Sequence, residues 1–144
     1  MSDFRRLSDT MLASPQITVT DVASAKAQGV TLIVNNRPEG EGEDQTPGAE
    51  IESAARAAGI DYLAIPITHA GFSHPQVTKL AEALERSTGA VLGYCRSGTR
   101  STLLWALAQS SRGDDPEALS AAAAGAGYDV SPVRPAMDAL AAAR

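Results

Sequence analysis

Cys95 is the only cysteine in the 144-residue chain, and it stands between a short apolar run and a polar loop. The stretch reads Ala90-Val91-Leu92-Gly93-Tyr94-Cys95-Arg96-Ser97-Gly98-Thr99-Arg100-Ser101-Thr102, and a helical segment follows from Leu103. Strand, cysteine, loop, helix is an order that builds an anion site around a nucleophile. The free N–H groups of the loop and of the helix start converge on one spot, and the helix dipole adds positive potential there. Such a field favours a thiolate, the reactive form of a cysteine. Arg100 supplies a planar fork for an oxyanion. Gly98 permits a backbone angle or a close approach that a Cβ would block. Arg96, Ser97 and Thr99 complete the candidate anion-binding loop, and Ser101 is placed either to donate to the sulfur or simply to cap the helix. A cysteine that only ends a strand is a small buried hydrophobe; the residues that follow this one argue for chemistry.

Such a loop needs a frame. Residues 30–34 are β-branched and nearly all apolar, as suits a strand covered on both faces. Residues 60–67 and 90–94 are further strand candidates, and 11–14 reads as a strand or hairpin. A helix capped by Thr18 or Thr20 and running to 28 carries Val22, Ala23 and Ala27 inward. Residues 48–58 place Ile51, Ala54, Ala55 and Ala58 on one helical stripe. Ser73 caps a helix to 86. The helix opening at 101–109 buries Leu104, Trp105 and Ala108. Asp115-Pro116-Glu117 starts another helix through 124, and a last short one begins near 131.

Alternating strands and helices predict an α/β fold with a mostly parallel central sheet of about four to five strands, flanked by helices, and a helical C-terminus. Ligands bind at the carboxyl ends of the strands in such a sheet. Cys95, the Asn36-Arg37-Pro38 turn and the Thr68-His69-Ala70-Gly71 turn all fall there. Arg37 either adds a second cation at this rim or pairs with Glu39 and Glu41. The Gly-, Pro- and acid-rich residues 35–47 read as a mobile loop, and the acidic run 39–44 as a solvated one.

The length fits one domain, 1–144. A net charge of -5 and a pI near 4.9 set general repulsion against nucleic acid and anionic membranes, so neither is expected as a partner. A lone cysteine excludes an internal disulfide and suits a reducing compartment. With no apolar run resembling a signal peptide or a membrane span, a cytoplasmic protein is expected. His69 and His74 stand five apart without a nearby carboxylate or cysteine, so no metal and no cofactor is expected.

The run from Tyr94 to Ser101 resembles the rhodanese active loop, Tyr-Cys-x-x-Gly-x-Arg-Ser. It also resembles the loop of cysteine phosphatases, which place five residues between nucleophile and arginine where this chain has four. Upstream, 32–41 and 62–67 are similar to the dual-specificity-phosphatase pattern rather than to a rhodanese. The combination, from about 7 to 109, resembles the bacterial phosphatase-fold sulfurtransferases, the phosphatase-like domain of beta-lactamase-hydrolase-like proteins. That resemblance implies a dual-specificity or tyrosine-phosphatase-like fold. It also implies a persulfide on Cys95, a small anionic sulfur donor and a thiol or cyanide acceptor. A persulfide dioxygenase or metallo-β-lactamase-like hydrolase would then be the partner.

The general acid separates the two chemistries. Phosphatases use an aspartate some thirty residues before the cysteine to protonate the leaving alkoxide, yet 65–81 holds no Asp or Glu. His69 is the candidate substitute there. Sulfite is a weakly basic leaving group and needs only anion stabilisation. The expected function is therefore thiosulfate sulfurtransfer through Cys95, with phosphatase action through a phosphocysteine as the alternative.

Overall fold

The computed structural model describes residues 2–143. The chain opens with a hairpin of β1 (Arg5–Ser8) and β2 (Met11–Ser14). It then alternates α1 (Val19–Ala27), β3 (Val30–Asn35), α2 (Gly48–Ala57), β4 (Asp61–Ala64), α3 (His74–Arg86) and β5 (Ala90–Tyr94). Helices α4 (Thr99–Ser111), α5 (Pro116–Gly125) and α6 (Arg134–Ala142) close it, with a 3₁₀ turn at Ser131–Val133 before α6. The sheet order is β1-β2-β5-β3-β4. Only the β1–β2 pair is antiparallel. This is the expected α/β fold with its helical C-terminus, and β5 lies at the sheet's centre.

The two-residue period of a strand divides the core between two faces. Met11 and Ala13, Val34 and Val91 point to one face, where they meet Val77 and Leu80 of α3, Leu104 to Ala108 of α4, and Met137 of α6. Leu12, Ile33, Leu92 and Tyr94 point to the other, against Val22 and Ala25 of α1 and Ile51 and Ala55 of α2. Tyr94 thus packs away from the face that carries α4, although it immediately precedes Cys95.

Three local expectations are corrected. Helix α1 buries Val22 and Ala25, a three-residue step along one stripe, and leaves Ala23 and Ala27 exposed. Strand β4 is shorter than the expected 60–67, because Pro66 cannot donate to a ladder; the N–H groups of Ile65 and Ile67 still reach the carbonyls of Asn35 and Asn36, at 2.9 Å each. Helix α4 begins at Thr99, directly after the turn.

The segment between β3 and α2 is pinned rather than loose. Asn36 and Arg37 are buried. The Glu39 carboxylate accepts from the Gly48 N–H at 2.8 Å, and Gln45 bridges the Pro38 carbonyl and the Glu41 N–H. Gly48 has no room for a side chain: a Cβ there would lie 2.5 Å from Glu39 Oε2 and 2.9 Å from Tyr62 Oη. Gly48→Ala should push Glu39 off the helix start and cost about 1–3 kcal/mol, the usual range for overpacking. Urea denaturation of the two proteins measures it; an unchanged midpoint would refute the crowding.

Candidate active site

Cys95 follows β5 directly, and its N–H donates to the Ser14 carbonyl at 3.3 Å. The residue has 0% exposure, so its sulfur is enclosed by the turn that follows it. Four residues later the chain is already helical, which requires a sharp turn at Gly98. Gly98 takes φ 94° and ψ -9°, the left-handed region that glycine enters without a Cβ penalty. The turn brings the Gly98 N–H to 3.1 Å from Cys95 Sγ. The Gly98 carbonyl accepts from both the Thr102 N–H and the Thr102 hydroxyl, which fixes the first turn of α4. The positive end of the α4 dipole is thereby held beside the sulfur. Ser97 and Thr99 join through their hydroxyls at 3.0 Å on the loop's outer side.

Arg100 is oriented from outside the loop. Its Nη1 and Nη2 donate to the two oxygens of Glu41, at 2.7 and 2.8 Å, and Nη1 donates again to the Ile67 carbonyl at 2.9 Å. These bonds use both Nη1 hydrogens and one of the two on Nη2. The Nε–H and the remaining Nη2–H lie along one side of the guanidinium and form a second two-donor fork, the geometry that suits an oxyanion. Arg37 donates from Nε to the same Glu41 oxygen that Nη2 of Arg100 uses, at 2.9 Å. The Arg100 hydrogen bond, with Arg37 adding to it, holds the Glu41 carboxyl down at about 2. In turn Glu41, with a smaller contribution from Cys95, raises Arg100.

The structure sorts the candidate residues. Cys95, Gly98 and Arg100 come together. Arg96 is exposed, beside the loop. Arg37 is 5% exposed and is both a rim cation and the partner of Glu41. Ser101 does not reach the sulfur as an anion-binding residue: it is wholly buried and donates to Asn36 Oδ1 at 2.8 Å. Its place in the first turn of α4, facing the sheet, directs it to the β3 turn instead. His69 is exposed in the 68–71 turn and makes no hydrogen bond or ion pair with a described residue; the Ile67 carbonyl is what that segment contributes.

From the sequence Glu41 was expected only as a partner of Arg37, its bond to Arg100 was not foreseen, and Tyr128 was not named at all. Glu41 lay inside an acidic run, and its four-residue spacing from Arg37 was the one available signal. Tyr128 donates its hydroxyl to the Ser97 carbonyl at 3.1 Å, bracing the loop from the C-terminal segment. Arg5 lies over its ring, 5.2 Å from the centroid. Among the described residues no group of three or more His, Cys, Asp or Glu is placed to hold a metal, and no helix is long and apolar enough to cross a membrane.

Known proteins share the sequence pattern and the fold of this chain. Residues 3–112 match the family described as "Beta-lactamase hydrolase-like protein, phosphatase-like domain". A beta-lactamase hydrolase-like protein of Agrobacterium fabrum is 31% identical over 73% of this chain, a match that spans only 24% of the relative's length. The chain therefore spans about a quarter of the curated relatives it matches. Among solved structures, a candidate phosphatase from Neisseria meningitidis superposes with a TM-score of 0.83 at 27% identity, covering 97% of this chain and 99% of that one. TpbA of P. aeruginosa, of which a substituted form is also solved in complex with phosphotyrosine, shares the fold with a TM-score of 0.67 at 21% identity, covering 99% and 90%.

Proposed function

The chain belongs to the beta-lactamase hydrolase-like protein phosphatase-like domain family, and we propose that in it Cys95 acts as a covalent nucleophile on oxyanion substrates whose leaving group departs without a proton. The observation that carries this reading is the state of Glu41. It is the carboxylate bonded to Arg100 at the rim, and two arginines hold its carboxyl at about 2, so at neutral pH it is an anchor and has no proton to give. A simple alkoxide leaving group is poorly served by such a site.

Within that class the comparisons weigh toward phosphoryl transfer, because the named fold neighbours are phosphatases and none is named a sulfurtransferase. In that reading the substrates are aryl phosphates, whose phenolate leaves more readily than an alkoxide. The site itself favours sulfane sulfur. The loop has one residue fewer between Cys95 and Arg100 than the phosphatase loop, and the carboxylate bonded to Arg100 carries no proton at neutral pH. Our conclusion is sulfur transfer, with aryl phosphate hydrolysis as the second reading.

The Cys95 thiolate attacks the outer sulfur of thiosulfate, a Cys95–S bond forms, and the sulfur–sulfur bond of the donor breaks with its electron pair leaving on sulfite. The side fork of Arg100 and the loop N–H groups stabilise the departing oxyanion. A thiolate or cyanide then takes the outer sulfur and restores the Cys95 thiolate. A partner hydrolase or persulfide dioxygenase would supply or consume that sulfur.

Intact-mass measurement of Cys95 after incubation with thiosulfate, and separately with an aryl phosphate, tests both. Sulfur transfer predicts a gain of one sulfur atom that cyanide discharges and that Cys95→Ser abolishes. Steady release of phosphate without any sulfur adduct would overturn it in favour of the second reading.

A further inference from the structure

A cavity of about 290 Å³ opens beside the Cys95 loop, lined by Gln16, Arg37, Glu41, Gly42, Asp44 and Arg96. It adjoins the reaction centre on two sides. The Gln16 N–H donates to the Arg96 carbonyl, in the turn that follows Cys95. Glu41 is shared between Arg37 and Arg100.

The charges around this cavity are unevenly committed. Glu41 is fully engaged by its two arginines. Arg37 is a charged side chain that is 5% exposed, and it uses Nε on Glu41 and Nη1 on Gln16 Oε1 at 3.1 Å. Its Nη2 makes no hydrogen bond with a described residue, and it is the Arg37 atom nearest to Gly42, 3.0 Å from where a Cβ there would stand. Gly42 is a lining residue, so this free amino group lies against the cavity wall. A buried guanidinium with unpaired donors bordering an open space is an anion-binding element, since leaving such donors unmet is costly.

Two more charges line the same space without partners. The Arg96 guanidinium and the Asp44 carboxylate form no ion pair with each other or with any other described residue. A plain anion would satisfy Arg37 and Arg96 but would face Asp44. A group that carries a carboxylate and an ammonium a few bonds apart satisfies all three.

We propose that this cavity binds the α-amino-acid end of a small substrate or acceptor, with its carboxylate on Arg37 Nη2 and Arg96 and its ammonium on Asp44. The molecule's side chain then faces the adjoining Cys95 loop. A low-molecular-weight thiol of the amino-acid type is the ligand class that fits. Binding itself does not depend on which group Cys95 transfers, so the inference stands or falls separately from the proposed activity.

The test uses the Cys95→Ser protein, in which no reaction intervenes, and S-methyl-L-cysteine as an unreactive probe. Amide NMR shifts are followed for residues 37, 42, 44 and 96 during titration. The expected result is saturable binding centred on those residues. S-methylcysteamine, without the carboxylate, and 3-(methylthio)propionate, without the ammonium, should each bind at least about tenfold more weakly, the loss of one charged contact. Asp44→Asn should weaken the zwitterion and tighten 3-(methylthio)propionate, which then no longer faces a carboxylate; Arg96→Gln should weaken both. Equal affinity for all three probes, tighter binding of 3-(methylthio)propionate than of the zwitterion, or no shifts at these residues would overturn the assignment. Both substitutions fall on exposed side chains outside the core, so a fold defect is not the expected confounder, and the undisturbed amide spectrum checks it directly.

Discussion

Gly98→Ala should abolish turnover and destabilise the protein together. Two separate penalties meet at this position. An alanine at φ 94° sits in a region that L side chains rarely adopt, at a cost of about 1–3 kcal/mol. Its Cβ would also collide with the Tyr128 hydroxyl, with the ring Cζ at 2.9 Å. Relief of either penalty moves the Gly98 N–H away from Cys95 Sγ and dislodges the Tyr128 brace on Ser97. Thermal or urea denaturation gives the stability loss, and formation of the Cys95 adduct gives the activity. Adding Tyr128→Phe to Gly98→Ala removes the hydroxyl contact but not the backbone strain, so the pair should restore none of the activity. Near-normal adduct formation in Gly98→Ala would show that the turn does not set the nucleophile's surroundings.

Glu41→Gln should cost about 10²-fold in turnover at saturating substrate, the scale of a misplaced oxyanion donor. The loss follows from how the donors of Arg100 are shared. With Glu41 ionised, the end of the guanidinium is held and its side fork is left free for substrate. Glutamine offers one oxygen and an NH₂ that repels the guanidinium, so Arg100 loses its orientation. Arg37, nearly buried, loses its counter-ion, and stability falls by about 1.5–3 kcal/mol at neutral pH. A rise in turnover would instead make Glu41 a brake on the site.

The pH dependence carries a defined sign. Glu41 titrates at about 2 in the folded protein against 4.5 ordinarily, so its contribution is complete above 4.5 and is lost as the pH falls through 2. The stability gap between the parent and Glu41→Gln should therefore be full at pH 6, shrink below pH 4.5 and close near pH 2. Urea titrations across that range read it out. A gap independent of pH would mean that the carboxylate's charge contributes nothing to the clamp.

What proved legible in the chain was local. The strand-to-helix passage around Cys95 is written in adjacent residues: an apolar run, a glycine where the backbone must turn left-handed, and a helix start. The two faces of the sheet follow from alternation in 11–14, 33–34 and 91–92. Ser73 and Asp115 announce their helices because a cap bonds within its own first turn. Hence the fold class, and the identity of the nucleophile candidate, were within reach of sequence alone.

What only the tertiary structure decided was which distant side chains meet. Glu41 and Arg100 stand 59 positions apart, Ser101 and Asn36 stand 65 apart, and Tyr128 lies 31 beyond Ser97. No periodicity links such pairs; they meet because parallel strands deliver the ends of β3 and β5 to one rim. An acidic loop that reads as solvated thus becomes the anchor of Arg100. A serine that reads as a thiolate donor turns inward, because the first turn of α4 presents it to Asn36 rather than to the sulfur.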